Sequence, residues 1–149
     1  THTAGALMAG PWPGKAERTK VMRIKQISVF VENKTGRLSE IIGALAQAKV
    51  DILALSMADT TDFGVLRMIV DQPEQAKQAL RSAGVVVKSS EVLAFEVEDK
   101  PGALAELLRK LSDGGVGIEY MYASILRRQD KAMMIFRVDD ADKAETLLA

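Results

Sequence analysis

Two similar stretches of the chain decide the fold, VENKTGRLSEIIGALAQAKVDI at residues 31–52 and VEDKPGALAELLRKLSDGGVGI at residues 97–118. They align without a gap at an offset of 66 residues, with the same glycine, the same leucine spacing and the same closing Val-x-Ile. Further on, VDQPEQAKQAL (70–80) is similar to VDDADKAETLL (138–148), at an offset of 68 residues. Two copies of a unit of about 65 residues indicate paired domains rather than a solenoid.

Within each copy the hydrophobic period changes in a fixed order. Apolar and polar residues first alternate, which predicts a strand. After a turn that contains glycine, apolar residues recur at the i, i+3, i+4, i+7 spacing of an amphipathic helix. In the first copy the predicted elements are a strand at 24–31, a helix from Leu38, strands at 51–58 and 64–70, a helix opened by Pro73 and ended by Gly84, and a strand at 85–88.

This order predicts an α+β fold of two ferredoxin-like βαββαβ units, each an antiparallel sheet with helices on one face. We expect residues 1–21 to be a flexible extension or a cloning remnant, residues 22–90 to form the first unit and residues 91–149 to form the second. In the second unit the last helix runs to Ala149 and no final strand follows. Either the chain is truncated there or another segment completes that sheet.

The composition excludes most catalytic chemistry. Cysteine is absent and the single histidine is His2, which excludes thiolate nucleophiles, cysteine-ligated metals and histidine triads. Twenty basic residues balance 20 acidic ones, which argues against a nucleic-acid protein. No segment reaches the roughly 18 apolar residues of a membrane span, and no signal-peptide pattern is present. We therefore expect a cytoplasmic protein that is not an enzyme and has no metal, cofactor, nucleic-acid or membrane partner.

In both copies the loop after the first strand places a glycine directly before a helix, at residues 32–38 and 98–104. The N–H groups at a helix start attract a carboxylate or phosphate, and glycine lets a ligand approach the backbone. The alternative is that each glycine only makes a tight turn. The loops match neither GxxxxGK[ST] nor GxGxxG, so they are not phosphate loops of a known kind.

A loop of the form N-x-[PT]-G-x-L, then an apolar helix and V-[DN]-I at the next strand, resembles the ACT domain. Two copies in series without an attached enzyme resemble the stand-alone tandem ACT proteins of bacteria, and residues 56–71 and 118–123 are also similar to that subgroup. The resemblance covers residues 23–148. It implies modules that bind amino acids and regulate metabolic enzymes, with the ligand at the junction between two ACT units.

The resemblance also implies site residues. In the regulatory domain of phosphoglycerate dehydrogenase, the residue three before the loop glycine contacts the amino acid, and this position is Asn33 or Asp99 here. A second contact comes from the residue that opens strand two, which is Asp51 in the first copy and Gly117 in the second. That enzyme also has a histidine two residues before this contact position. Both copies here have a valine there, Val31 and Val97, which argues against serine as the ligand. The candidate ligand-binding residues are Asn33, Thr35, Gly36, Arg37, Leu38, Asp51, Asp99, Pro101, Gly102, Ala103, Leu104, Tyr120 and Tyr122.

Structural roles remain open for these residues. Asn33 and Asp99 also suit a turn or a helix cap, and Asp51 suits a solvent-facing strand start. Alternation places Tyr120 and Tyr122 on one face of a strand, where they either line an apolar pocket or cover the sheet.

We expect a non-catalytic sensor that binds a free amino acid and changes its association with itself, as a homodimer, or with an enzyme of amino-acid metabolism. The alternative is a detached regulatory subunit, for example of acetolactate synthase, in which the protein surface matters more than a pocket. A third interpretation, an enzyme, would require Asp59, Asp62, Tyr120 or Tyr122 to form an acid–base pair in one cleft.

Overall fold

Strands and helices follow one another in the predicted order. The computed structural model describes residues 21–59, 62–128 and 131–149. Residues 1–20 of the predicted extension and Thr60 of a predicted hairpin turn lie outside the described residues. The elements are β1 (Val21–Glu32), α1 (Arg37–Gln47), β2 (Ile52–Asp59), β3 (Phe63–Val70), α2 (Pro73–Ser82), β4 (Val87–Glu98), α3 (Ala103–Asp113), β5 (Ile118–Arg128), β6 (Lys131–Val138) and α4 (Ala141–Leu148). The α+β class of two ferredoxin-like units is confirmed.

The chain divides into two compact units, which we call the N-terminal and the C-terminal unit. The N-terminal unit is Lys25–Ser90, and the C-terminal unit combines Glu91–Ala149 with residues 21–24. The sequence places residues 22–24 in the first unit and Val21 in the extension, whereas the structure groups all four with the second unit. The difference arises because nothing local in the sequence indicates which core this segment joins.

In the N-terminal unit, β3 pairs with both β1 and β2. The β1–β3 register runs antiparallel from Ile27 opposite Met68 to Glu32 opposite Phe63. β2 is also antiparallel to β3, with an irregularity between residues 52 and 54. Because both neighbours run against β3, β1 and β2 point in the same direction.

Two helices cover one face of this sheet. Ile41 and Leu45 of α1, with Ala76 and Leu80 of α2, are fully buried against aliphatic side chains of β1 and β3. The alternation and the helical spacing therefore place most core residues correctly. Leu38 differs: it lies in the first turn of α1 and is 41% exposed.

The C-terminal unit repeats this arrangement. β6 pairs antiparallel with β4, from Leu93 opposite Phe136 to Glu98 opposite Lys131, and also with β5. The core contains residues from both helices, from β4 and β6, from the loop before β5 and from the start of the part of the chain that the structure describes: Val21, Leu93, Val97, Leu107, Leu111, Val116, Phe136, Ala144 and Leu148.

The start of β1 joins the C-terminal unit, whose repeat lacks a final strand in sequence. Val21 is 8% exposed within the C-terminal core. The Arg23 guanidinium forms ion pairs with Glu91 at 3.1 Å and with Asp142 and Glu145. Hydrogen bonds to Glu145, Asp142 and Glu91 raise the pKa of Arg23 further above its ordinary value. These contacts fasten residues 21–24 to the C-terminal unit.

β4 is one strand of 12 residues, although the sequence predicts a strand at 85–88 and another near 93–97. No glycine or proline interrupts Val87–Glu98, so the strand continues through the boundary between the units. In the N-terminal unit its first half contacts β1, because the buried Gln26 Nε2 lies 3.4 Å from Ser90 Oγ. Each of the two long strands, β1 and β4, thus contributes to both units.

Candidate functional site

The two glycine loops share one backbone conformation. Gly36 has a φ of 87° and Gly102 a φ of 89°. In both loops the amide of the lysine two residues before the glycine donates to the carbonyl two residues earlier, at 2.8 and 3.0 Å. Glycine adopts a positive φ without steric cost, so the turn alone requires it at this position. A Cβ added at either glycine would meet nothing within 4 Å, so space also remains beside the backbone.

The N-cap residues of α1 and α3 are glycines, which have no side chain that could cap the helix. In contrast, the N-cap residue of α4 is Asp140, whose carboxylate accepts a hydrogen bond from the Lys143 amide at 3.1 Å. The first amides of α1 and α3, those of Arg37 and Ala103, donate to the carbonyls of Lys34 and Lys100 at 3.2 and 3.3 Å.

The predicted loop residues are mostly exposed. Asn33, Thr35 and Gly36 are exposed, as are Asp99, Pro101 and Gly102, whereas Ala103 and Leu104 are half-buried and pack against the C-terminal core. Arg37 pairs with Glu40 at 3.1 Å within the first turn of α1. In the second loop Lys100 Nζ lies 2.8 Å from Glu98 Oε2, and this hydrogen bond raises the pKa of Lys100.

The structure separates Asn33 from Asp51 within the N-terminal unit. β1 and β2 point the same way, and Asn33 follows the end of β1 whereas Asp51 precedes the start of β2. The two residues therefore lie at opposite ends of the sheet, about 25 Å apart at ~3.3 Å per strand residue. A single amino acid cannot contact both side chains within one unit.

Asp51 is joined to Asp71 by a pair of hydrogen bonds that recurs in the second copy. The Asp51 amide donates to Asp71 Oδ1 at 2.8 Å, and the Asp71 amide donates to the Asp51 carbonyl at 3.0 Å. Gly117 and Asp139 make the same two bonds, both at 3.0 Å. Because Gly117 has no side chain, this shared pattern depends on the backbone and on the second aspartate of each pair.

The two tyrosines lie on the sheet face opposite the helices of the C-terminal unit. Tyr120 is opposite Arg137 and Tyr122 is opposite Ile135, while Met121 packs into the helix-side core. Tyr122 is buried and Tyr120 is half-buried. Both tyrosines lie on the same face of the strand, as the alternation predicts. Neither lines the cavity of the C-terminal unit that is described below.

A cavity of about 280 Å³ lies in the C-terminal unit, between the end of β4 and the start of α3. It is next to the second glycine loop, and of the predicted site residues Ala103 lines it. Its wall combines apolar, acidic and basic side chains, which suits a small molecule that carries both charges. The lining residues are Phe95, Glu96, Val97, Glu98, Lys100, Ala103, Glu106, Leu107, Lys110 and Lys131.

Glu96 is the unusual residue of this cavity, and the sequence interpretation missed it. It is 7% exposed, and its Oε1 lies 3.0 Å from Lys131 Nζ. Its Oε2 is buried without a hydrogen-bond partner in the part of the chain that the structure describes. The corresponding residue of the first copy is Phe30. The sequence signal for Glu96 is therefore an acidic residue at a position that is apolar in the other copy.

The described residues contain neither a cluster of metal ligands nor a membrane-spanning helix. Within residues 21–59, 62–128 and 131–149 there is no cluster of three or more acidic, histidine or cysteine side chains that could hold a metal ion. Among the described helices, none combines the length and the apolar character that a membrane crossing requires.

Comparison with known proteins gives the family. The family model for an ACT domain pair matches residues 22–149. The chain therefore belongs to the ACT domain pair family, and the resemblance seen in the sequence is confirmed. A comparison with curated proteins finds no match.

Solved structures support the same assignment. Protein BT0572 from Bacteroides thetaiotaomicron is 38% identical, with a TM-score of 0.80 over 87% of this chain and 89% of that one. The ligand-free regulatory subunit of aspartate kinase from Thermus thermophilus is 16% identical, with a TM-score of 0.61 over 83% and 87% of the two chains. The corresponding subunit from Thermus flavus is 16% identical, with a TM-score of 0.60 over 87% and 93%. The two regulatory subunits share the fold with this chain.

Proposed function

We propose that this ACT domain pair is a non-catalytic cytoplasmic sensor that binds a small amino acid and thereby changes its association with a partner. The observation that carries this proposal is the cavity between β4 and α3, next to the loop of Gly102. Lysine and glutamate side chains share its wall with apolar ones, as recognition of a zwitterion with a small side chain requires. The absence of cysteine and of a histidine beyond His2 supports binding over catalysis.

In this proposal the ligand acts by linkage. An amino acid that binds one assembly more tightly than another shifts the equilibrium toward it, and a coupling of about 1–3 kcal/mol is sufficient. Lys110 of the cavity wall and the positive end of the α3 dipole favour the ligand carboxylate. The loop of Gly36 has the same backbone and is the candidate for a second site.

Calorimetric titration with each of the twenty amino acids tests the proposal. We expect heat from one amino acid or a few related ones, and a rise in the unfolding temperature with the same compounds. Asp99→Ala and Asn33→Ala, measured side by side, report which loop takes part. If no amino acid gives heat or a thermal shift, the protein is not an amino-acid sensor.

We also propose that the partner is an enzyme of amino-acid metabolism. The support is that two structural neighbours are regulatory subunits of aspartate kinase, on separate chains of similar length. A pull-down with the tagged full chain should recover one enzyme in stoichiometric amount, and the sensed amino acid should change its yield. Recovery of an enzyme by a chain without amino-acid affinity would favour a purely protein–protein regulatory subunit.

Self-association is part of the same proposal. Phe30 and Phe63 are 57% and 49% exposed, on neighbouring strands of the N-terminal unit. Large exposed side chains of this kind mark interaction surfaces. A homodimer that covers them is the simplest assembly for the amino acid to modulate.

A further inference from the structure

We propose that Glu106 of α3 binds the ammonium group of the ligand, while Lys110, one helical turn later, binds its carboxylate. The cavity of the C-terminal unit then selects small molecules that carry both charges and a short apolar side chain. This inference rests on the proposed function and assigns the two ends of the ligand to two side chains of one helix. Neither residue is among the site residues that the sequence predicts.

The first argument is the position of the two side chains on the cavity wall. Four residues of α3 line the cavity at the i, i+3, i+4, i+7 spacing of one helix face: Ala103, Glu106, Leu107 and Lys110. Phe95 and Val97, which line the cavity from β4, belong to the same core as Leu107. The cavity therefore lies between this face of α3 and the helix side of β4. Glu106 and Lys110 are exposed, so a molecule that enters the cavity from solvent can reach both of them.

The second argument is that these two charges are unpaired. The cavity wall holds three glutamates and three lysines, and four of the six are paired within the wall: Glu98 with Lys100 at 2.8 Å, and Glu96 with Lys131 at 3.0 Å. Glu106 and Lys110 are the other two, one of each sign. In the part of the chain that the structure describes, neither side chain forms an ion pair or a hydrogen bond.

The third argument is the match between this pair and a zwitterion. Residues four apart on a helix have their Cβ atoms about 6 Å from each other, and an α-amino acid carries both its charged groups on one carbon. Its ammonium group donates to a carboxylate and its carboxylate accepts from a lysine. A plain amine meets the like charge of Lys110, and a plain carboxylic acid meets that of Glu106. Because an exposed ion pair contributes little by itself, tight binding requires both.

The fourth argument is the size and apolar lining of the cavity. About 280 Å³ is slightly below the ~300–1,000 Å³ of typical small-molecule sites, so the occupant is smaller than most cofactors. Phe95, Val97 and Leu107 provide apolar contacts for a short side chain. A small aliphatic amino acid meets these conditions.

The fifth argument is the asymmetry between the repeats. In the N-terminal unit the corresponding glutamate, Glu40, is paired with Arg37 at 3.1 Å. The second copy has Ala103 in place of this arginine, so its glutamate lacks that partner. The first copy also has Ala44 where the second has Lys110. The inference therefore predicts one zwitterion site of this kind per chain.

Calorimetry on the full chain tests the inference with Glu106→Gln and Lys110→Met. The probes are the twenty amino acids and, for each one that binds, its deamino carboxylic acid and its decarboxylated amine. One control is Glu40→Gln, because a carboxylate in the first turn stabilises either helix, and this variant loses the same contribution. The other control is Arg109→Met, which removes an exposed cation next to Lys110 that does not line the cavity.

We expect each test variant to weaken amino-acid binding at least about fivefold, and each control to change it by no more than about twofold. Lys110→Arg keeps the charge and should retain binding within about threefold. Glu106→Gln should strengthen the binding of the deamino acid, and Lys110→Met that of the amine, because each removes a like charge. A purely structural role of either residue would weaken all probes alike. Thermal unfolding checks that the variants are folded, and Glu106→Asp replaces Glu106→Gln if that variant is unfolded.

The outcomes separate the inference from the proposed function. If an amino acid binds the wild type and both test variants within about twofold, the inference is wrong and the sensor proposal stands. If the deamino acid or the amine binds the wild type as tightly as the amino acid, the two charges are not both recognised and the inference is overturned. If no amino acid binds the wild type, the sensor proposal fails and the inference fails with it.

Discussion

The cost of a glycine depends on the backbone that it occupies, and the first copy contains two contrasting cases. Gly36 has a φ of 87°, whereas Gly43 lies inside α1, and a Cβ at either position would meet nothing within 4 Å. We expect Gly36→Ala to lower the free energy of unfolding by about 1–2 kcal/mol, because of the left-handed backbone. Gly43→Ala should raise it by up to about 1 kcal/mol through helix propensity. Urea denaturation measures both, and equal effects would contradict the prediction.

Lys131 should matter for stability, because it pairs with the buried Glu96. Lys131→Met would leave both oxygens of the buried Glu96 without the partner that the structure shows, so we expect a loss of about 2 kcal/mol in the free energy of unfolding. The control is Lys34→Met, which removes an exposed pair with Glu32 at 3.7 Å and should cost less than ~0.5 kcal/mol. A Lys131→Met protein as stable as the Lys34→Met protein would show that Glu96 is solvated without its lysine.

At the residue level the sequence predicts what depends on local chemistry. Gly36 and Gly102 were predicted from a turn before a helix, and both have the positive φ that such a turn requires. Glu96 was not predicted, because its burial and its pairing with Lys131 depend on β4 and β6 being neighbours in the folded sheet. Local patterns of sequence contain no information on that pairing.

Among the elements, the helices were predicted more accurately than the two long strands. α2 begins at Pro73 as the sequence indicates, and its buried residues, Ala76 and Leu80, are four apart, as one face of a helix requires. β1 and β4 are each 12 residues long and extend past the predicted strands. Alternation shows that a segment is a strand, but it does not show which of two similar sheets each half joins.

Arg23 offers a test of how the start of β1 is held. Arg23→Met removes ion pairs with Glu91, Asp142 and Glu145, and we expect a loss of about 1–2 kcal/mol, since partly exposed pairs contribute ~0.2–1 kcal/mol each. Lys25→Met, two residues along the same strand, removes a single exposed pair with Glu74 at 3.1 Å and is the control.

Hydrogen exchange shows where the effect of Arg23→Met falls. Amides of β6 and α4 should lose protection more than amides of β3 and α1, because Arg23 contacts residues of the C-terminal unit. Uniform loss of protection through the chain would contradict the assignment of residues 21–24 to that unit.

For the whole molecule, the exposed aromatic residues of the N-terminal unit predict concentration-dependent association. We expect Phe30→Ser to weaken a homodimer at least tenfold in sedimentation equilibrium, because burial of a large aromatic side chain contributes strongly to an interface. Ile125→Ser, a change at an exposed apolar residue of the C-terminal unit, is the control and should leave the dimer constant within about twofold. A monomeric wild type, or equal effects of both variants, would show that Phe30 is not part of a dimer interface.

The division of β1 between two units also has a consequence for synthesis on the ribosome. Once Ser90 has emerged, every residue of the N-terminal unit is available to fold, but Val21 must wait for core partners as distant as Leu148. Through the translation of the second half, Val21, Met22 and Ile24 remain without the unit that buries them. A nascent chain paused at this stage would present a short apolar strand, which is the kind of segment that chaperones bind and that aggregates when unprotected.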